Sequence, residues 1–205
     1  GSVIANYWLS HIYPKNVGEA HRNGDYHIHD LDMFSGYCAG WSLRALLEEG
    51  FNGVDNKIES GPPKHLSSAV SQMVNFLGTL QNEWAGAQAF SSFDTYMAPF
   101  VKKKEMEIRE DIKRYGMKFA SKKKETAYVD EAVYKYVFQN LQSFVFNLNI
   151  PSRWGTQTPF TNITLDWDCP EDLKEKRLLL GGEPFPYTFG ELGKEMDIVN
   201  RAFIE

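Results

Sequence analysis

Residues 142–167, QSFVFNLNIPSRWGTQTPFTNITLDW, carry the reading that decides the fold class. Their first part ends a helix spanning 127–147, aromatic at Tyr128, Tyr134, Tyr136, Phe138, Phe144 and Phe146 and therefore expected to be largely buried. Pro151 stops it by biasing Ile150 toward an extended conformation. Residues 155–159 then read as a loop feeding a strand over 160–167, where β-branched residues alternate.

Upstream, Leu66, Val70, Met73, Val74, Leu77, Leu80 and Trp84 recur at three- and four-residue steps, one buried helical stripe. Residues 93–101 predict a short helix that Pro99 ends or bends, and 105–119 a further helix. At the N-terminus, 3–13 and 14–22 predict two short helices, with Pro14 at a first helical position and Gly24 at a C-terminal stop. A brief strand over 26–30 follows, then a helix over 41–49 closed by Gly50, and a Gly-, Asn- and Pro-rich connection over 51–63. Thr188 and Glu191 stand at capping-box spacing before a final helix that reaches Glu205 without a stop signal. That ending predicts a chain cut inside a larger protein, and Gly1–Ser2 read as a tag remnant. The alternation of helix and strand favours an α/β class, rich in helix.

Composition narrows the function classes. The 205 residues are 42% hydrophobic and 24% charged, so the chain can bury a core and is not globally disordered. Nothing approaches the roughly 20 apolar residues of a membrane span. Two cysteines, Cys38 and Cys169, are too few for a disulfide scaffold or a thiolate zinc site and suit a reducing cytoplasm. Within 102–124, ten Lys or Arg face four Asp or Glu, a local +6 that leaves −11 for the rest of a chain whose net charge is −5. A solvated helix face is the favoured reading of that window over a phosphate or partner contact. Neither GxxxxGK[ST] nor GxGxxG is present, so phosphate binding by either loop is unsupported.

Three groups of residues could do chemistry. In HIHD, residues 27–30, His27 and His29 share a face of the expected strand, as in metal-dependent hydrolases, yet His65 is the single later histidine and the ligand set is short. Substrate hydrogen bonding or internal packing are the other readings, and packing wins on the pair alone. Cys38 lies between Gly36 and Gly40, where the backbone can approach a ligand closely. By itself it reads as a buried small hydrophobe, as does Cys169 beside Pro170 at an expected helix start. Gln157, Thr158 and Asn162 could hydrogen-bond a sugar or base, or satisfy a loop backbone.

HIHDLD at 27–32, GYCAGWSL at 36–43, KIESGPPKHL at 57–66, QMVNFLGTLQNEWAGAQAFSSFDTYMAPFV at 72–101 and the stretch 142–167 together resemble the anaerobic, glycyl-radical class of ribonucleoside-triphosphate reductase. The resemblance covers nearly the whole chain apart from the Lys-rich stretch. It implies a ten-stranded α/β barrel of two half-barrels, of which residues 3–205 form a partial catalytic domain, the first half. It also implies a glycyl radical installed by a radical S-adenosylmethionine iron-sulfur activase, and a thiyl cysteine that takes the 3′-hydrogen of a ribonucleoside triphosphate. The 2′-hydroxyl leaves as water, and formate or a thiol supplies the reducing equivalents. On this likeness Cys38 matches the cysteine that faces the thiyl cysteine across the substrate. His27 lines the substrate site, His29 and Asp30 stand beside it, and Gln157, Thr158 and Asn162 belong to the substrate-facing loop and strand. Residues 66–86 match the helix that builds the dimer and its nucleotide-effector site.

The thiyl and glycyl-radical segments and an ATP cone have no counterpart in the 205 residues, so the resemblance implies a piece inactive alone, paired with a second copy or a complementing fragment. It implies an oxidoreductase of DNA-precursor synthesis in the cytoplasm, binding neither nucleic acid nor membrane. The alternatives are a non-catalytic half of a split reductase that supplies dimer and effector surfaces, or a metal-dependent hydrolase using His27 and His29.

Overall fold

A computed structural model describes residues 2–32, 36–51, 60–81, 83–150, 158 and 160–205. In chain order the elements are helices α1 (Ser2–Tyr7) and α2 (Lys15–Asn23), separated by a π-helical turn at Trp8–Ile12, strand β1 (Tyr37–Trp41), and helices α3 (Leu43–Glu49) and α4 (Leu66–Leu80). Strand β2 (Ala85–Phe90) leads into the long helices α5 (Phe93–Arg114) and α6 (Lys122–Leu148). Strand β3 (Thr161–Ile163), a small hairpin of β4 (Leu179–Leu180) and β5 (Glu183–Pro184), a 3-10 turn at Phe189–Glu191 and helix α7 (Gly193–Ile204) complete the order.

Local chemistry sets many of these boundaries. Gly24, at φ +82°, ends α2. The Ser42 hydroxyl accepts from Ala45 N at 3.1 Å to start α3, and Ser121 does the same for Lys124 N at 3.3 Å at the head of α6. The capping box forms as its spacing requires, with Thr188 N donating to Glu191 Oε2 at 2.8 Å.

Strands β1, β2 and β3 form a parallel sheet in that order, with Gly40 opposite Ala89 and Ala89 opposite Asn162. Helices α3 and α4 connect the first pair and α5 and α6 the second, as parallel pairing demands. One face of the sheet, carrying the fully buried Gln88 and Phe90, lies against the core built by Leu47, Met73, Leu77, Phe93, Met97, Val137 and Val199. Trp41 stacks edge-on against Phe76 and donates its indole N–H to Gln88 Oε1.

Asp94, in the first turn of α5, holds the sheet to the helices. Its fully buried carboxylate accepts four hydrogen bonds: from Thr95 N (3.0 Å), Asp166 N (2.9 Å), Trp167 N (2.9 Å) and Asn200 Nδ2 (2.9 Å). The chain leaving β3 is thereby fixed to α5 and α7, with Trp167 turned to φ +65°.

The structure corrects several expectations. Residues 26–30 form no strand: Ile28 N donates to His21 Nδ1 at 3.0 Å instead of to a neighbouring strand, and Asp30 turns left-handed at φ +49°. The first strand starts at Tyr37 and takes in Trp41, which was expected in α3. The strand expected over 160–167 keeps only Thr161–Ile163, because Thr164 pairs with Phe90 and Phe93 where α5 begins. Pro99 neither ends nor visibly divides α5; Met97, Ala98, Phe100 and Val101 around it are buried, which offsets the lost backbone hydrogen bond. The aromatic helix is buried mainly through its aliphatic residues, with Phe144 its one fully buried aromatic. Val129, Val133, Val137, Leu141 and Phe144 form its inner stripe, while Tyr128 and Phe146 are exposed. Cys169 lies in a turn region, half-buried, not at a helix start.

The basic window is knitted into the fold. Lys102 reaches Glu105 at 2.8 Å and Glu195 at 3.2 Å, Arg109 reaches Glu105 at 2.9 Å, and Lys103 donates to Lys64 O at 2.6 Å. Burial works to raise the Glu105 carboxyl, but the Lys102 and Arg109 contacts outweigh it and hold it below the ordinary carboxylate range. A depressed folded value means a contribution present above the unfolded value, about pH 4.3, and lost as pH falls through the folded one. The urea midpoint is expected to fall with acid over that interval, and Glu105→Gln to flatten that part of the pH profile. An unchanged acid limb in the variant would contradict this.

Candidate functional site

The reactive groups collect at the start of β1. Between Tyr37 and Ala39 the register with β2 slips, Tyr37 lying opposite Ala85 and Ala39 opposite Gln88. Cys38, in the slip, takes φ +51°, rare for a residue with a side chain, and is exposed. Gly86 allows this: it sits at φ +79°, and a Cβ there would lie 2.8 Å from Cys38 Sγ and 2.9 Å from Tyr37 Cε2. Ala87 N donates to the sulfur at 3.3 Å.

HIHD runs past this point as an exposed segment. His27 Nε2 lies 3.4 Å from His29 Nδ1, and His29 Nε2 lies 3.3 Å from Asp30 Oδ2. The Tyr37 ring meets the His29 ring edge-on at 5.4 Å. Its phenol ionises above its ordinary range, chiefly because of the Asp30 carboxyl nearby. The contacts therefore run from His27 through His29 to Asp30, with the Tyr37 ring, next to Cys38 in the chain, edge-on to His29. His21, Ile28 and Leu31 line an open groove beside them.

The remaining candidates are more spread out. Because Gln88 and Phe90 point into the core, alternation sends Gly40, Ala89 and Asn162 to the other face, and Asn162 is exposed there. This row is small-sided next to Cys38 and polar two strands away, about 10 Å by strand spacing. Thr158 is exposed, and Gln157 lies outside the described residues.

Among the described residues no group of three or more His, Cys, Asp or Glu converges as metal ligands, and none of the helices is long and apolar enough to cross a membrane. His29 stands between His27 and Asp30. Tyr37 was not singled out from the sequence. Its adjacency to Cys38 was visible, but its ring contact with His29 was not.

A parallel sheet sealed by helices on one face, with Asn162 on the other and Cys38 exposed at the start of β1, defines a helix-rich α/β unit. Comparison with known proteins makes that class particular. The family model for anaerobic ribonucleoside-triphosphate reductase matches residues 1–205, and the chain belongs to that family. It is 28% identical over 166 residues to the anaerobic ribonucleoside-triphosphate reductase of Escherichia coli (strain K12), covering 78% of this chain and 22% of that protein. With the enzyme of Enterobacteria phage T4 it shares 24% identity over 173 residues, 80% of this chain and 27% of that one. The chain thus spans about a quarter of the length of these curated relatives. Among solved structures, the anaerobic ribonucleotide reductase from Thermotoga maritima in complex with dATP and CTP superposes with a TM-score of 0.60 at 24% identity, over 95% of this chain and 30% of that one. That likeness bears on the fold, which is the helix-rich α/β arrangement expected.

Proposed function

We propose that these residues form the part of an anaerobic ribonucleoside-triphosphate reductase that presents Cys38 to the ribose of a nucleoside triphosphate, as the first half of a ten-stranded α/β barrel. The observation that carries this reading is Cys38 itself, exposed on the slipped strand, its sulfur accepting from Ala87 N, beside a Tyr37 whose ring meets that of His29. The family resemblance and the relatives' names support the reaction class.

In this reading the glycyl radical, placed by a radical S-adenosylmethionine activase, supplies the oxidising equivalent when it is present. Cys38 takes part in returning reducing equivalents as the 2′-hydroxyl departs as water, with formate or a thiol as final donor. His27 lines the ribose, and His29 and Asp30 hold its geometry. Asn162 and Thr158 hydrogen-bond the substrate from β3 and the loop before it, and Gln157 is assigned to the same loop. The stretch from α4 to Gly86 contributes to a homodimer and its nucleotide-effector site, and the site works in the reducing cytoplasm. The 205 residues alone make no deoxynucleotide.

The test is anaerobic turnover. A full-length protein containing these residues, with its radical verified by electron paramagnetic resonance, is expected to convert a ribonucleoside triphosphate with formate or a dithiol, whereas the 205 residues mixed with activase yield nothing. Failure of the radical-bearing protein, or product from the 205 residues alone, would overturn the reading.

A further inference from the structure

We propose that His21 is a positioning residue that holds the HIHD segment, residues 27–30, in place by accepting a backbone hydrogen bond at its Nδ1. The segment needs such a hold: it belongs to no strand, and among the described residues no backbone–backbone hydrogen bond reaches it. Its backbone is fixed instead where Ile28 N donates to His21 Nδ1 at 3.0 Å. His21 comes from the last turn of α2, a helix whose Gly18 is buried so closely against Leu9 O that no side chain fits there. The Gly24 turn at φ +82° ends that helix and sends the chain back past it, so the acceptor sits on a rigid element and the segment hangs on it. The His21 ring also meets that of His27 at 5.5 Å, tilted by 40°.

Ile28 stands between the two histidines of the segment. They are aligned with one another, His27 Nε2 3.4 Å from His29 Nδ1, and His29 with Asp30, so fixing the backbone between them fixes that alignment. The hold also requires one protonation state. To accept from Ile28, Nδ1 carries no proton, and the ring is neutral with its hydrogen on Nε2. The titratable groups that line the groove with His21 are His27, His29, Asp30 and Asp32, and α1 brings only the uncharged Ser2 and Ala5 there. Arg22, the next residue of α2, is turned away to Asn6 and Ser10. A proton added at Nδ1 sets two N–H donors face to face. The bond therefore exists while the ring is neutral and is lost as pH falls through the histidine range.

The inference rests on the reductase reading only for its consequence in turnover, and hydrogen exchange tests it separately. In the full-length protein containing these residues, exchange at the Ile28 amide is read by mass spectrometry with electron-transfer fragmentation, as a ratio to the rate in an unstructured peptide of the same sequence. His21→Leu fills similar space without an acceptor, and is expected to raise that ratio about fivefold near pH 7.5. His21→Asn loses the ring but places an amide oxygen close to where Nδ1 stands, and is expected to stay within about twofold of the parent. Between about pH 7.5 and 5.5 the parent should lose its protection while the Asn variant keeps it. A ring that merely packs predicts the reverse ranking, with Leu protecting and Asn failing. That ranking, equal ratios in the parent and the Leu variant, or a parent whose protection is flat over this pH range would overturn the proposal. In turnover, His21→Leu is expected to raise the KM for a ribonucleoside triphosphate about fivefold at unchanged radical content, as His27 loses its placement. If exchange splits as stated while KM stays at the parent value, His21 holds the segment but the segment does not line the ribose, and that part of the reductase reading fails. If turnover falls without the split in exchange, the reading stands and the role of His21 does not.

Discussion

Asp94→Ala is expected to lower the unfolding free energy by about 3 to 5 kcal/mol, the range for removing one partner from a buried, charge-assisted cluster. The carboxylate is fully buried and is the acceptor for three backbone N–H groups and the Asn200 amide. Deleting it strands those donors away from water, each at a penalty of about 1 to 3 kcal/mol before relaxation. Asp94→Asn should fall between the two, since one amide oxygen remains to accept while the new NH2 faces other donors. Urea unfolding measures both. A loss below about 1 kcal/mol for the alanine variant would mean that water or a rearranged loop satisfies the donors, and that Asp94 does not hold β3 to α5 and α7.

Cys38→Ser in the full-length, radical-bearing protein is expected to cut deoxynucleotide formation by roughly three orders of magnitude or more, the scale of loss when a directly reacting group is removed. Serine nearly preserves shape, so the slipped strand and the Gly86 contact should survive. It neither ionises near neutral pH as a thiol can nor shares the thiol's redox chemistry. Radical content, read by electron paramagnetic resonance, and substrate binding are expected to stay near parent levels, separating lost chemistry from lost folding. A Cys38→Ser variant that turns over at the parent rate would move the reducing equivalents to another residue.

What could be read in advance follows the range of the forces involved. The inner stripe of α4 was legible because Leu66, Val70, Met73, Val74 and Leu77 announce it by spacing alone, and all are buried; Trp84 lies past the helix end at Leu80. The capping box at Thr188 and Glu191 was equally local. Strand β2 was not legible, since AGAQAF contains no β-branched residue and is a strand because it is paired on both sides. The hairpin at Gly181 and Gly182 was likewise missed, though both glycines take positive φ at its turn. At the site, period-two reasoning put His27 and His29 on one side, and they do meet, but in a segment with no ladder. Cys38 read by itself as a buried small hydrophobe; only the resemblance gave it a role, and the structure exposes it. Asp94 could not be found from spacing, because most of its partners come from distant segments.

The sheet's connectivity also has a consequence for how the molecule assembles. Ala89 and Asn162 become neighbours only after the whole of α5 and α6 has been laid between them. The two helices build much of their own order from contacts close in sequence, whereas each rung of the parallel ladder must close a long loop first. Strand pairing is therefore the late event, and the open face that carries Cys38 is completed after the helical scaffold behind it. Interrupted synthesis or partial unfolding would surrender the chemistry before the bulk of the helix, so a circular-dichroism signal alone is a poor witness to an intact site.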